Sequence, residues 1–349
     1  MVRMNSTELQ HIVLTRPPDE DLLAAWNDLL LNCDHASHFT TPDFFEDPFV
    51  GRGERFAVLV FNGDQIDGAV TGLKDGRHIQ CGLPVRPQTA FRDGANFAAV
   101  FEQFALGLEG LGGADTELVD VYSWTSIGEK IPFGFEENRC RGGDQVIMLD
   151  LTLGPDVLFR DFAERRRTQL RKAERSGKVT VKQLETIEEI DELYQIHKIW
   201  VGSKGLAADD KANFLKMLGS NYRTTLIAAC EGKIIAGTFL RYCENGIVEY
   251  AANNSLAQFR NLNANEMLGW RAIQWACERG FKKFSLGASH PFLSRFGGEL
   301  TSAFRYRSDL TFFRRHANRE RLETLARSVY LSLPEAVRTK LASARRKAI

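Results

Sequence analysis

Long apolar runs are missing from this 349-residue chain. Strongly apolar stretches such as Phe56-Ala-Val-Leu-Val-Phe61 fall far short of the ~18–20 residues a membrane span requires, so no transmembrane segment is expected. The start, Met1-Val-Arg-Met-Asn-Ser6, has neither a continuous apolar core nor a cleavage site, and no export signal is read there. Cysteine is sparse. The six residues Cys33, Cys81, Cys140, Cys230, Cys243 and Cys277 are widely spaced and form no C-x-x-C pair. This argues against a zinc site or a redox pair, and the expectation is free thiols in a reducing cytoplasm, with no metal. Glycine, at 29 residues, is too rare for a collagen-like chain, and 44% hydrophobic with 26% charged residues excludes disorder as the main state.

Net charge is also absent, with 45 basic and 45 acidic residues. That balance conceals a split. Residues 1–150 hold 11 Lys+Arg against 24 Asp+Glu, a net of −13, and residues 151–349 hold 34 against 21, a net of +13. The second part suits an anionic partner and the first does not.

The pattern of elements reads as mixed α/β and runs twice. In the first half a short strand, His11 to Thr15, precedes a helix opened by Pro18-Asp-Glu-Asp21. A hairpin follows (Phe56 to Phe61, then Gln65 to Leu73), with a further strand near Arg77 to Leu83, a helix over Gly94 to Leu111, and strands near Glu117 to Ser123 and Gln145 to Leu151. The second half repeats that order: strand Val179 to Leu184, a helix opened by the capping box Thr186-Ile-Glu-Glu189, a helix over Asp209 to Leu218, a hairpin from Thr224 to Tyr242, strand Ile247 to Ala252, helix Ala264 to Arg279 and strand Phe281 to Leu286. Gly63, Ile66 and Gly68 fall on Gly232, Ile235 and Gly237 at one offset, 169 residues. Element order and offset together predict an internal duplication. The expected division is 1–152, 153–313 and a basic helical tail, 314–349, with the boundary at Thr152-Leu-Gly-Pro155. Leu322, Leu325, Val329 and Leu333 recur at helical spacing, which points to packing on the second domain, or to contact with an anionic membrane surface or nucleic acid.

Four stretches of the second half carry a family resemblance. They are the basic helix Phe162-Ala-Glu-Arg-Arg-Arg-Thr-Gln-Leu-Arg-Lys-Ala-Glu-Arg-Ser-Gly177, the hairpin Leu226 to Leu240, the segment Leu268 to Gly280 with Lys283-Phe-Ser-Leu-Gly287, and Phe292-Leu-Ser-Arg-Phe-Gly-Gly298. Over about residues 155–310 they resemble the GNAT acyltransferase superfamily, in its Fem-type branch and the acetyltransferases related to cellulose biosynthesis. The first half is similar to the divergent partner domain of Fem-type proteins. The resemblance implies α/β (α+β mixed-sheet) architecture: tandem GNAT-like units, each a mostly antiparallel sheet with flanking helices, around one cleft. It implies transfer of an acyl group, from acyl-CoA (acetyl-CoA) as donor, to an amine of a small-molecule or cell-envelope-precursor acceptor. Two alternatives stay open. One is a Fem-type peptidyltransferase that uses aminoacyl-tRNA on a peptidoglycan precursor. The other is a non-catalytic ligand-binding protein that kept the fold.

Candidate residues follow from this reading. Arg260, Asn261, Asn263 and Asn265 lie in the loop before a helix N-terminus, where N–H groups and the helix dipole favour donor phosphates. Asn263 and Asn265 stand where the resemblance has small residues, mostly glycine, and Leu293 stands where it has a lysine that Arg295 could replace. Glu249 and Tyr250 are neighbours on the strand beside the cleft, and alternation lets only one of them face it. His290 follows a strand end. These three are the candidates for proton transfer. Trp200, Lys204 and Arg295 are candidates for the acceptor. Arg165, Arg166, Arg167, Arg171, Lys172 and Arg175 share one helix, either as a solvated face or as a guide for CoA, tRNA or a nucleotide-linked acceptor.

Overall fold

A computed structural model describes residues 9–334 and 337, apart from 129, 133, 219 and 289. In chain order the strands of the first part are β1 (Gln10–Leu14), β2 (Glu54–Asn62), β3 (Gln65–Asp75), β4 (His78–Leu83), β5 (Arg86–Pro87), β6 (Thr89–Phe91), β7 (Leu118–Ser123), β8 (Glu136–Arg139) and β9 (Val146–Asp150). Then come β10 (Thr180–Gln183), β11 (Arg223–Cys230), β12 (Lys233–Tyr242), β13 (Ile247–Ser255), β14 (Lys283–Ala288), β15 (Glu299–Thr301) and β16 (Phe304–Asp309). The helices are α1 (Glu20–Leu31), α2 (Phe97–Gly112), α3 (Pro155–Asp161), α4 (Glu164–Ser176), α5 (Ile187–Gly202), α6 (Lys211–Leu218), α7 (Ala264–Glu278) and α8 (Arg315–Ser332).

Two mixed sheets result. The first has the order β1-β2-β3-β4-β7-β16-β8, and the second β10-β11-β12-β13-β14-β9-β15. In each, one parallel pair lies among antiparallel neighbours, β4 with β7 and β13 with β14. Helix α2 covers one face of the first sheet, with Val100, Phe101 and Phe104 in its core, while Trp26, Leu29 and Leu30 of α1 pack on the other face. Helices α3, α4 and α7 lie on one side of the second sheet, and α5 and α6 on the other. Two units, each a mixed, mostly antiparallel sheet with flanking helices, are therefore present in tandem.

The expected cut near residue 152 does not follow the sheets. Strand β9, from the first half, pairs in the second sheet between β14 and β15. Strand β16, from the second half, pairs in the first sheet between β7 and β8. Each sheet receives from the other half the strand beside its parallel pair. The apolar pattern of Val146-Ile-Met-Leu149 predicts a strand, but it carries no information about which sheet that strand joins.

The hairpin repeat holds at a different offset. Asn62 pairs with Gln65 and Cys230 pairs with Lys233, an offset of 168 residues. The bulges agree: Asp67 is the extra residue in one hairpin and Ile235 in the other, again 168 apart. The glycine match was thus slipped by one. A one-residue slip turns a side chain to the opposite face, and the glycines show it. A Cβ on Gly68 would run into Val100 of α2, whereas one on Gly237 would run into Leu193 of α5, the counterpart of α1.

The C-terminal helix is a second correction. Helix α8 lies on the first sheet, not on the second domain. Glu320 accepts hydrogen bonds from Arg305 and Arg307 of β16, and Arg315 and His316 reach Glu117 beside β7.

Candidate functional site

Strands β13 and β14 pair only over Ile247 to Glu249 with Lys283 to Ser285, after which β13 runs on to Ser255 beside β12. The two strands part at Tyr250. The chain leaves β13 through a 3-10 turn, Ala257–Leu262, and enters α7 at Asn263. Asn263 adopts φ +56°, ψ 35°, the left-handed geometry that asparagine tolerates better than most residues. No side chain caps α7, so the N–H groups of its first turn are free of capping side chains. Asn265 turns its amide to Ser255 Oγ at 3.1 Å and ties the helix start to the strand end. A cavity of 250 Å³ lies here, lined among others by Ser255, Phe259, Arg260, Asn265, Glu266 and Phe292.

Polar side chains of β13 and α7 flank the parting of the strands. Tyr250 Oη, Asn253 Nδ2 and Asn265 Oδ1 are buried and lack hydrogen bonds of good geometry. Burial pushes the Tyr250 phenol up to about 12, against the opposing pull of Thr238 and Asn253. At neutral pH it is a proton donor and no base.

Arg166 is the side chain whose place the sequence pattern mistakes. It was grouped with its neighbours on a solvated or ligand-guiding face, yet it is fully buried. Its guanidinium sits 4.3 Å from the centroids of both Phe292 and Phe296, donates from Nη2 to the Phe292 carbonyl at 2.6 Å, and pairs from Nη1 with Glu266 at 3.0 Å. The pair neutralises a carboxylate in the first turn of α7, where it would otherwise repel any anion at the helix start. The signal lies in the spacing: Arg166, Leu170 and Ala173 share one buried face of α4, and Phe162 just before the helix is buried as well. Arg165, Arg171, Lys172 and Arg175 are exposed as expected.

Arg295 joins this cluster. Its carbonyl accepts from Ala163 N at 3.0 Å, just before α4, and its charge acts on Arg166. Arg260 is exposed at the cavity rim, and Asn261 is exposed beside it. His290 is exposed; its Nδ1 accepts from Phe292 N at 3.1 Å and so supports the turn that carries Phe292.

Other candidates lie elsewhere. Glu249 points to the opposite face from Tyr250, as alternation requires. It is buried and paired with Arg241 Nε at 2.7 Å, and Arg241 in turn sits 4.5 Å over the Phe39 ring. Nearby, Arg223 pairs with Asp47, which accepts from His38 Nε2 at 2.7 Å. These charges join the two halves and are remote in orientation from Tyr250. Trp200 is half-buried at the end of α5 with Lys204 Nζ 5.9 Å from its ring, on the α5 side of the sheet. His197 of α5, not singled out in the sequence, lies against Asn254 at 3.1 Å, and burial holds its imidazole below the usual value. All six cysteines are free thiols.

The sheet thus opens beside an uncapped helix start, where backbone N–H groups can meet an anionic ligand. Residues 160–308 match the family model described as an acetyltransferase (GNAT) domain. Three solved structures share the two-sheet fold. FemX is 12% identical, with a TM-score of 0.68 over 82% of this chain and 96% of its own. L-PGS from Bacillus licheniformis is 16% identical, with a TM-score of 0.55 over 86% of this chain and 95% of its own. A conserved protein of unknown function from Bacteroides thetaiotaomicron is 11% identical, with a TM-score of 0.58 over 85% and 99%. No curated protein matches the sequence. Residues 160–308 are thus similar to a GNAT acetyltransferase domain, and the chain as a whole shares its fold with FemX. No helix among the described residues is long and apolar enough to cross a membrane.

Proposed function

We propose that this protein is a cytoplasmic enzyme that moves an acyl group from acyl-CoA to an amine of a small molecule or a cell-envelope precursor. The parting of β13 and β14 beside the uncapped start of α7 carries this reading. Donor phosphates would meet the N–H groups of Ala264 and its neighbours, the positive end of the helix and the Arg260 guanidinium. The side chains of Asn261 and Asn265 would hold the loop that presents them. The acyl thioester would lie along β13 in the opening. The amine nitrogen attacks the thioester carbon, and the carbon–sulfur bond breaks as the tetrahedral adduct collapses. Tyr250, protonated at neutral pH, would give its proton to the leaving thiolate, and the proton that the amine nitrogen loses on forming the amide would restore the phenol. Arg295, beside the buried Arg166, and the pair Trp200 and Lys204 would serve the acceptor. Glu249 would act only through the Arg241 pair that fixes β13, and His290 by holding the Phe292 turn.

One observation favours a second donor. Arg165, Arg171, Lys172 and Arg175 of α4 form an exposed basic face, which suits the aminoacyl-tRNA that a Fem-type reading implies. Thermal shifts with acetyl-CoA, longer acyl-CoAs and aminoacyl-tRNA separate the two, because a true donor stabilises the fold by mass action. Arg260→Ala should weaken CoA binding about ten- to a hundredfold, the scale of a hydrogen bond to a charged group, with an unchanged melting temperature. If acyl-CoA leaves the melting temperature of the wild type unmoved and aminoacyl-tRNA raises it, the second donor is correct.

A further inference from the structure

Beyond β16 the chain carries apolar side chains that the described residues leave uncovered. Phe312 is 83% exposed and Phe313 79%, with their ring centroids 4.1 Å apart and the ring planes tilted by 59°. Large apolar residues exposed to this degree side by side mark a contact surface. The backbone beneath them is unusual. Phe313 (φ 59°, ψ 22°) and Arg314 (φ 48°, ψ 53°) are consecutive non-glycine residues in the left-handed region. Such geometry is costly and persists only where its surroundings enforce it.

The surroundings do enforce it. Asp309 Oδ1 accepts from Thr311 N at 3.1 Å and from Thr311 Oγ1 at 2.5 Å, and Asp309 Oδ2 accepts from Ala317 N at 2.7 Å. Thr311 Oγ1 accepts from Arg315 N at 2.7 Å, Asn318 Nδ2 donates to the Phe313 carbonyl at 2.6 Å, and Arg314 pairs with Glu136. The turn is a rigid tip that holds two rings in water.

Helix α8 continues the theme. From Asn318 to Tyr330 its side chains are exposed, 327 aside. Leu322, Leu325 and Val329, at 67%, 62% and 54% exposure, recur on one face. Charge is the third observation. By sequence, residues 310–349 hold ten Lys+Arg against three Asp+Glu, a net of +7, about half of the excess in the second part of the chain.

We propose that the Phe312–Phe313 tip and the exposed face of α8 dock the protein on the surface of an anionic lipid bilayer. The rings would enter the interface, the Leu322, Leu325 and Val329 stripe would lie in the plane, and the basic side chains would meet the headgroups. A protruding tip fits a soft interface, whereas a folded partner would need a matching pocket. Nucleic acid has no use for an aliphatic stripe. The proposal is independent of which donor the enzyme uses.

Vesicle sedimentation of the full chain tests it. Vesicles of phosphatidylcholine containing phosphatidylglycerol should bind the wild type at least about tenfold more tightly than phosphatidylcholine alone, and high salt should erase the difference. Phe312→Ser with Phe313→Ser should weaken binding to the anionic vesicles about tenfold or more at an unchanged melting temperature. Arg319→Glu with Arg321→Glu should remove the preference for phosphatidylglycerol. Three results would overturn the proposal. They are no binding of the wild type to anionic vesicles at low salt, unchanged binding by the double serine variant, and a dimer of the wild type in free solution that the serine variant converts to monomer.

Discussion

Single side chains already divide into those that build the site and those that join the halves. Arg166 belongs to the first group. Its burial between two rings and beside Glu266 means that Arg166→Ala leaves a carboxylate and an aromatic slot without their cation. We expect a loss of about 3 kcal/mol in denaturant unfolding, the usual scale for breaking a buried pair. Arg166→Lys should recover only part of it, because an ammonium does not stack or fork as a guanidinium does. His35 is tied to the second group through Asp34, whose carboxylate also pairs with Lys283 of the other half at 3.3 Å. Burial by itself would push its imidazole down, but the neighbouring Asp34 carboxylate at 3.4 Å and the Cys33 thiol outweigh that and raise it from 6.5 to about 9. The folded state therefore holds a proton that the unfolded chain has released between those values. Its stabilisation is complete below pH ~6.5 and disappears as pH rises through ~9. Unfolding free energy should fall by up to about 3 kcal/mol over that window, and His35→Gln should flatten the curve. A wild-type profile already flat over that range would show that His35 is neutral in the fold.

Elements were more legible than their partners. Periodicity located the hairpins, the long helices α2 and α7 and the capping box of α5, in which Thr186 and Glu189 each bond the other's backbone. These signals are local, and local physics forms them. Strands β8, β15 and β16 were not read, because three to six residues of mixed polarity carry too little pattern. The site was half legible for the same reason. Loop chemistry pointed to Arg260 and Asn263, and alternation left the choice between Glu249 and Tyr250 open. The burial of Arg166 depends on Phe292 and Phe296, more than a hundred residues away. One junction of elements invites a direct test. The turn between β12 and β13 sits against the loop after α1: Ile247 N donates to the Ala36 carbonyl at 2.9 Å, and a Cβ on Gly246 would collide with that same carbonyl. Backbone cannot give way as a side chain can, so Gly246→Ala should cost about 2–3 kcal/mol in urea unfolding. Gly232→Ala, where a Cβ meets open space and only φ +78° is unfavourable, should cost about 1 kcal/mol. Equal costs at the two positions would refute the steric account.

At the scale of the whole molecule, the exchange of β9 and β16 makes each half incomplete without the other. Residues 1–152 alone lack the strand between β7 and β8, and residues 153–349 alone lack the strand between β14 and β15. Expressed separately, each piece should be aggregated or loosely packed; expressed together, they should assemble into one soluble particle that unfolds as a unit. A soluble, cooperatively unfolding 1–152 fragment would show that the exchanged strand is dispensable. The exchange also sets a timetable on the ribosome. Strand β8 ends at Arg139, and its neighbour β16 begins at Phe304. At ~5–20 residues per second that is a delay of about 8–30 s, during which β7 and β8 present unpaired edges to solvent. The first-made sheet is finished by one of the last strands to emerge. A premature stop shortly before residue 304 would therefore strike hardest at the part of the protein translated earliest.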